Sequence, residues 1–383
     1  MKNVVAARPW LVGAVGLAIA VAVVLRILVS YDMDPTAYVA FFRDDTPAQI
    51  AYPSRVLGRP VVTDGLAHDG KYFFAQANDP WYLEPERHAA VLDASLYRAQ
   101  RMLYPMLAGG FGLFPPGVIL WSTIVINVLA MAIGAAIAAR LAVIWGYSPW
   151  FGIWVPLNIG LLLELNLGNA GVLAYTCCLA ALLALEAKQT WQAALLFAAA
   201  ALTREVMILF PTGLLILWVI QRRRPPWRLV LVPAVAMGIW HLYLRVRLSG
   251  IEGSGVGSGT RALAPPFVDL IQGVRYWMRD PTHLVINLLI LAIVVSFVPL
   301  ALRSRLPIAW GALPFVALAG VVSFMVWKET YDFPRAFAPV FTAIPFVVAT
   351  PAHRTAEEVS GDGVPIPQRG PDPSSRTAAG PPA

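Results

Sequence analysis

The sequence predicts an all-α polytopic membrane protein of about ten spanning helices, with a large polar loop after the first helix. Three observations carry this reading. Of the 383 residues, 58% are hydrophobic and 13% are charged, whereas soluble globular domains run roughly 45–50% apolar and about 25% charged. The apolar residues also fall in long runs, and about 20 helical residues cross a ~30 Å hydrocarbon core. Between the first two runs lies an interval that holds many of the acids. This composition excludes a soluble enzyme, a nucleic-acid-binding domain and a disordered chain. The net charge of +7 then bears on orientation, because Arg and Lys gather in cytoplasmic loops.

The first apolar run, residues 9–30, follows Lys2 and Arg8. A basic start also suits a signal peptide, but the run is long and lacks a clear small-x-small cleavage site, which favours a retained helix with a cytoplasmic N-terminus. Residues 31–113 carry Asp32, Asp34, Asp44, Asp45, Asp64, Asp69, Asp79, Glu84, Glu86 and Asp93. Periodicity predicts two amphipathic helices in this interval, over 65–77 and 89–107, of the kind that lie along a membrane surface. A loop this long is usually functional rather than a connector.

Further spans are predicted near 117–143, 149–165, 169–187, 190–203, 206–220, 228–246, 284–302, 306–326 and 334–350. The pair 190–203 and 206–220 is short for two crossings. It reads as two short helices meeting at Thr203-Arg204-Glu205, with one tilted helix as the alternative. Charge bias favours the break. It puts Lys2, Arg8, Arg140, Lys188, Arg222, Arg223, Arg224, Arg228, Arg303, Arg305 and Arg354 on the cytoplasmic side, as the positive-inside rule requires. Residues 1–350 thus form one transmembrane domain with both ends cytoplasmic and external loops at 31–113 and 249–283. The Gly/Ser-rich stretch 250–259 reads as a mobile lid or a plain linker, and 351–383 as a disordered cytoplasmic tail. The adjacent Cys177 and Cys178 read as packing residues, without a disulfide or metal-ligand spacing.

Under this topology four segments bring acids and bases to the external membrane face: the first loop, Glu164 with Asn166, Thr203-Arg204-Glu205, and residues 328–335. Ionisable groups at membrane depth are costly and are functional candidates. Asp69 opens an aromatic amphipathic segment, where it reads either as a helix cap or as a general base at the interface. Asp64, five residues earlier, shares that candidacy or binds a metal. Arg98 and Arg101 stand three apart and can grip a phosphate through paired donors, or merely snorkel toward headgroups. Arg204 and Glu205 either pair with one another or leave Arg204 for a phosphate. Lys328, Glu329, Asp332 and Arg335 form either a solvated turn or part of the site. Arg26 reads as snorkelling outward.

At these residues the chain resembles the GT-C glycosyltransferase superfamily. His68-Asp69-Gly-Lys-Tyr-Phe-Phe74 followed by Asp79-Pro80 is similar to the Tyr-Asp-Gly-x-Phe-Tyr-x-x-Ala-x-Asp-Pro pattern of bacterial members, with His68 where that pattern has an aromatic. Tyr97-Arg98-x-x-Arg101-x-Leu103-Tyr104-Pro105 continues the likeness. More distantly, the first piece resembles the Trp-Asp-x-x-x-Tyr signature of mannosyltransferases that build glycolipid anchors. Thr203-Arg204-Glu205 and Pro334-Arg335 resemble later positions of such enzymes. The likeness covers the topology over about 9–350, and its specific motifs cover 64–105.

The resemblance implies an enzyme of a bacterial inner membrane with its active site on the external, periplasmic face. The donor would be a polyprenyl-phosphate sugar and the acceptor a cell-surface glycan or lipid. Asp69 or Asp64 would be the base. Arg98, Arg101, Arg204 and Arg335 would bind the donor phosphate, and Tyr72, Tyr104, Glu205 and Lys328 would contact substrate. Inversion at the anomeric carbon is expected. No cofactor is implied, and Asp32-Met-Asp34, the Asp-x-Asp spacing present, lies outside the place usual for a metal. An O-antigen-type polymerase or ligase and a polytopic transporter or flippase are the alternative readings.

Overall fold

The computed structural model describes residues 8–39, 47–62, 69–86, 91–92, 95–249, 264–328 and 330–349. Asp64, His68, Glu329, the stretch 250–259 and the tail 351–383 lie outside the described residues. The described residues are helical and contain no strand. Four helices are long and apolar enough to cross a membrane: α1 (Pro9–Ser30), α6 (Pro116–Ile144), α11 (Arg228–Arg247) and α13 (Pro281–Arg303). Before α6 come α2 (Pro47–Leu57), α3 (Gly70–Asn78), α4 (Ser95–Ala99) and α5 (Leu103–Ala108). Between α6 and α11 lie α7 (Ile159–Asn166), α8 (Gly171–Glu186), α9 (Thr190–Thr203) and α10 (Leu209–Ile220). The remainder are α12 (Val268–Trp277), α14 (Pro307–Leu318), α15 (Phe324–Lys328), α16 (Phe333–Ala336) and α17 (Ala338–Val348).

The outer surface is apolar in helical register. On α6, Trp121, Val125, Leu129 and Ile133 are exposed at four-residue spacing. On α11, Leu231, Val235, Ile239, Leu242 and Val246 are exposed at spacings of three or four. A stripe of this kind facing outward has no stabilising role in water and suits hydrocarbon. Contact between helices rests instead on small residues, as in membrane packing. Gly13 and Gly16 of α1 lie on Ala132, Ala135 and Ala136 of α6.

The bundle has two distinct ends. α8 begins beside Glu164 and ends at Glu186. α10 begins after the Arg204 break, and its end lines a cavity together with the ends of α8 and α13 and the start of α14. α9 runs the opposite way to α10. Its Trp191 sits 5.2 Å from the Arg228 guanidinium at the start of α11, and its Leu202 packs near Trp240 and Leu244. One end therefore collects Glu164, Arg204, Glu205 and Arg335. The other collects Arg140, Glu186, Lys188, Arg222, Arg223, Arg224, Arg228, Arg303 and Arg305.

Several expected spans are broken, each for a local reason. The span expected over 149–165 is a 3₁₀ turn, Pro149–Trp154, followed by α7. Pro156 supplies no N–H between them, and Asn158 repairs the gap. Its Oδ1 accepts from the Gly160 amide at 2.9 Å and the Leu161 amide at 3.3 Å, and its Nδ2 donates to Ala338 O at 2.7 Å and Thr342 Oγ1 at 2.8 Å. Without water, irregular backbone must find partners of this kind inside the protein. Asn158→Ala should therefore cost about 1–3 kcal/mol, read as a lower thermal midpoint in detergent; an unchanged midpoint would remove this role.

The span expected over 306–326 stops at Leu318, where the carbonyls of Gly320 and Val321 accept from the Phe267 and Ala264 amides in place of helical ones. The span expected over 334–350 is likewise split, into α16 and α17. The amphipathic helix expected over 89–107 is, in its described part, the separate helices α4 and α5. Pro105 has no N–H for the Arg101 carbonyl and its ring crowds it, and here the chain breaks between the two helices. The second polar loop also holds an unforeseen helix, α12, whose Trp277 Nε1 donates to Trp327 O at 2.6 Å.

Candidate functional site

Asp69 is the residue before α3. Its backbone carbonyl accepts from the Tyr72 and Phe73 amides, but its side chain makes no cap bond. The reading of Asp69 as a side-chain cap is thus corrected: the carboxylate turns to arginine. Arg98 Nη1 donates to Oδ1 at 2.6 Å and Arg101 Nη1 to Oδ2 at 2.8 Å. Both arginines are presented by the α4–α5 region, which the Pro105 break bends toward α3.

Arg101 is the centre of this group. Its Nε and Nη2 fork onto Glu205 Oε2 and Oε1 at 2.9 and 3.0 Å, and Nη2 also reaches Tyr97 Oη at 2.7 Å. Burial alone would disfavour the charge, but Glu205, then Tyr97 and Asp69, hold the Arg101 pKa well above the usual arginine value. The planar fork is what lysine lacks. Arg101→Lys should therefore lose about 1.5–3 kcal/mol of thermal stability in detergent, and a neutral outcome would mean that this fork contributes nothing. Arg98 lies over the Tyr72 ring with its guanidinium carbon 4.1 Å from the centroid, a cation–π geometry. Tyr72 is itself buried.

A second group surrounds Glu164, in the last turn of α7. Its side chain is 2% exposed. Oε1 accepts from Arg204 Nη1 at 2.5 Å and Arg335 Nε at 2.9 Å, and Oε2 from the Gly171 amide at 3.0 Å. That amide begins α8, so the carboxylate also meets the positive end of a helix. A Cβ on Gly171 would run into the Glu164 carboxylate, so this position needs glycine. Arg335 Nη1 donates to Asp332 Oδ1 at 2.7 Å. Arg204 is extended between α9 and a 3₁₀ turn, Glu205–Ile208. The break thus sends Arg204 to Glu164 and Glu205 to Arg101. Of the two readings of this pair, the one in which Arg204 and Glu205 bond to one another is not formed.

Among the described residues, four arginines (98, 101, 204 and 335) face four carboxylates (69, 164, 205 and 332) at one end of the bundle. A polar layer lies beneath them. Tyr104 Oη donates to Thr123 O at 2.8 Å and accepts from Asn127 Nδ2, which also donates to Asn169 O at 2.9 Å. This ties α5 and α6 to the turn that presents Gly171. Tyr104, expected to contact substrate, is completely buried in that layer against Phe73. Lys328 ends α15. Asp79 accepts from the Leu83 and Glu84 amides at 2.8 Å, so the second acid of the motif forms a turn. Asp34 is taken by Arg59 and the Thr36 amide. No group of three residues suited to a metal occurs among the described residues.

Glu164 and Asp332 were placed at this face by sequence but given no role, and Asn127 was not singled out. Glu164 had a readable signal: a lone acid in an apolar run, in a topology that already held two unmatched arginines. Compared with protein-family models, with curated proteins and with solved structures, the chain matches none.

Proposed function

We propose that the protein is an integral-membrane glycosyltransferase of the GT-C type. It moves a sugar from a polyprenyl-phosphate donor to a cell-surface glycan or lipid. The observation that carries this reading is the Asp69 carboxylate held between Arg98 and Arg101, beside a second arginine pair on Glu164. A base and a set of cations at one end of an apolar bundle are what transfer from a lipid phosphate needs. Among the described residues, the opposite end carries many arginines and, apart from Glu186, few acids, which suits a cytoplasmic side. On that reading both chain ends are cytoplasmic, the chain crosses about ten times by way of the short helices, and the arginine–carboxylate end faces outward.

The chemistry follows from the pairing. In the resting site Asp69 is bound by two guanidiniums and is a poor base. An arriving phosphate competes for Arg98 and Arg101 through the same paired donors and releases the carboxylate. Asp69 then takes the proton of an acceptor hydroxyl, whose oxygen attacks the anomeric carbon. The bond from that carbon to the phosphate oxygen breaks, and polyprenyl phosphate leaves with the electron pair. Fixed guanidiniums stabilise the charge that develops on it. No metal is needed for this balance of charge.

The test is transfer from a panel of radiolabelled polyprenyl-phosphate sugars in membranes that contain the protein. Transfer from one donor, absent from membranes without the protein, is the expected result and names the sugar. No transfer from any donor by inserted, folded protein overturns the proposal. A transporter would use the buried Glu164 group as a coupling site, and would then move a labelled lipid or solute across vesicles without forming a glycosidic bond.

A further inference from the structure

At the end of the bundle remote from Asp69 and Glu164, helix ends leave cavities, two of which share a wall. One of about 870 Å³ lies between α8, α10, α13 and α14, with Leu182, Trp218, Arg223 and Arg305 in its wall. The other, of about 950 Å³, lies between the ends of α6, α13 and α17, with Trp145, Tyr147 and Phe346 in its wall. The connection Arg303-Ser304-Arg305 lines both. α8 separates this end from Glu164 by its 16 residues, about 24 Å of helix.

The connection is held in place. Trp310 Nε1 donates to Ser304 O at 2.8 Å, and Ser304 Oγ accepts from the Leu306 amide at 3.1 Å. Among the described residues, the side chains of Arg223, Arg303 and Arg305 make no ion pair or hydrogen bond. The carboxylate in the wall, Glu186, has its Oε1 engaged by Trp145 Nε1 at 2.7 Å. Leucines and tryptophans make up much of the rest of the wall, in which Ile220 and Leu302 are also exposed to the outside. Cations beside an apolar wall suit an amphiphile rather than a free ion.

We infer that the Arg223–Arg303–Arg305 cavity holds the phosphate of a membrane phospholipid. Basic pockets between transmembrane helices recognise such headgroups, and each arginine near the surface adds roughly fivefold to affinity for an anionic lipid. The inference rests on the membrane reading and is independent of glycosyl transfer.

The test is native mass spectrometry of delipidated protein titrated with dioleoyl phosphatidylglycerol. Wild type should retain one tight adduct. Arg303→Gln with Arg305→Gln should weaken it roughly thirtyfold, while Arg303→Lys with Arg305→Lys should stay within a few-fold of wild type. Arg222→Gln with Arg224→Gln, outside the cavity wall, should leave it unchanged. Equal retention in the Arg303/Arg305 glutamine pair, or equal loss in the Arg222/Arg224 pair, overturns the site. Displacement of the lipid by excess inorganic phosphate overturns the lipid as occupant. If the glutamine pair does not elute as a single folded species, Arg223→Gln takes its place, with roughly fivefold weakening expected and no weakening counting against the site.

Discussion

Changing Glu164 to glutamine should lower the stability of the detergent-purified protein by about 3–5 kcal/mol. The carboxylate is the shared acceptor of Arg204 and Arg335 and of the first amide of α8. Glutamine fills the same space, but its amide takes the Glu164 anion from two nearly buried guanidiniums, 15% and 7% exposed, of which Arg335 keeps Asp332. Breaking a buried pair from one side costs more than never having had it, because the remaining charge stays desolvated. Glu164→Gln combined with Arg335→Met should accordingly recover part of the loss, since one of the two cations that shared Glu164 is removed. Thermal unfolding in detergent reads both variants. A Glu164→Gln midpoint equal to wild type would mean that these ion pairs do not hold α7, α9 and α16 together.

Much of the architecture was readable because membrane crossing forces it. The bounds of α1, α6, α11 and α13 fall within a few residues of the runs predicted from apolar length, since a span must be continuous and largely apolar. The breaks were less readable. Pro156 and Pro105 were visible as residues, but whether proline bends a helix or ends it depends on what can satisfy the freed carbonyls. After Pro156 the amides that open α7 are capped by Asn158 Oδ1, and the same side chain is fixed by Ala338 and Thr342, 180 or more residues away. The same holds for the site. Arg98, Arg101, Arg204 and Arg335 were named as cations at one level. Their partners were not, because Arg101 meets Glu205 across 104 positions and Arg335 meets Glu164 across 171. Sequence proximity left a pairing of Arg204 with Glu205 open, yet extended backbone sends adjacent side chains to opposite sides, and Arg204 is extended.

Asp69→Asn should lower glycosyl transfer by about 10²–10⁴-fold, the usual range for loss of a positioned general base, and should disturb the fold much less than Glu164→Gln. The two expectations separate because the two carboxylates are held differently. Asp69 is 13% exposed against 2% for Glu164, and its arginines keep other partners when its charge is removed: Arg98 stays on Tyr72, and Arg101 keeps Glu205 and Tyr97. An asparagine at 69 still has an oxygen for one guanidinium but cannot take a proton from an acceptor. The predicted signature is therefore a collapse of kcat with a thermal midpoint near wild type. Arg98→Ala should differ, raising the KM for the lipid-phosphate donor as well as slowing transfer, because the cation meets the phosphate in both the bound and the reacting state. If Asp69→Asn transferred sugar at the wild-type rate, Asp69 would be no more than an anchor for Arg98 and Arg101, and the base would have to be sought at Asp64 in the same loop.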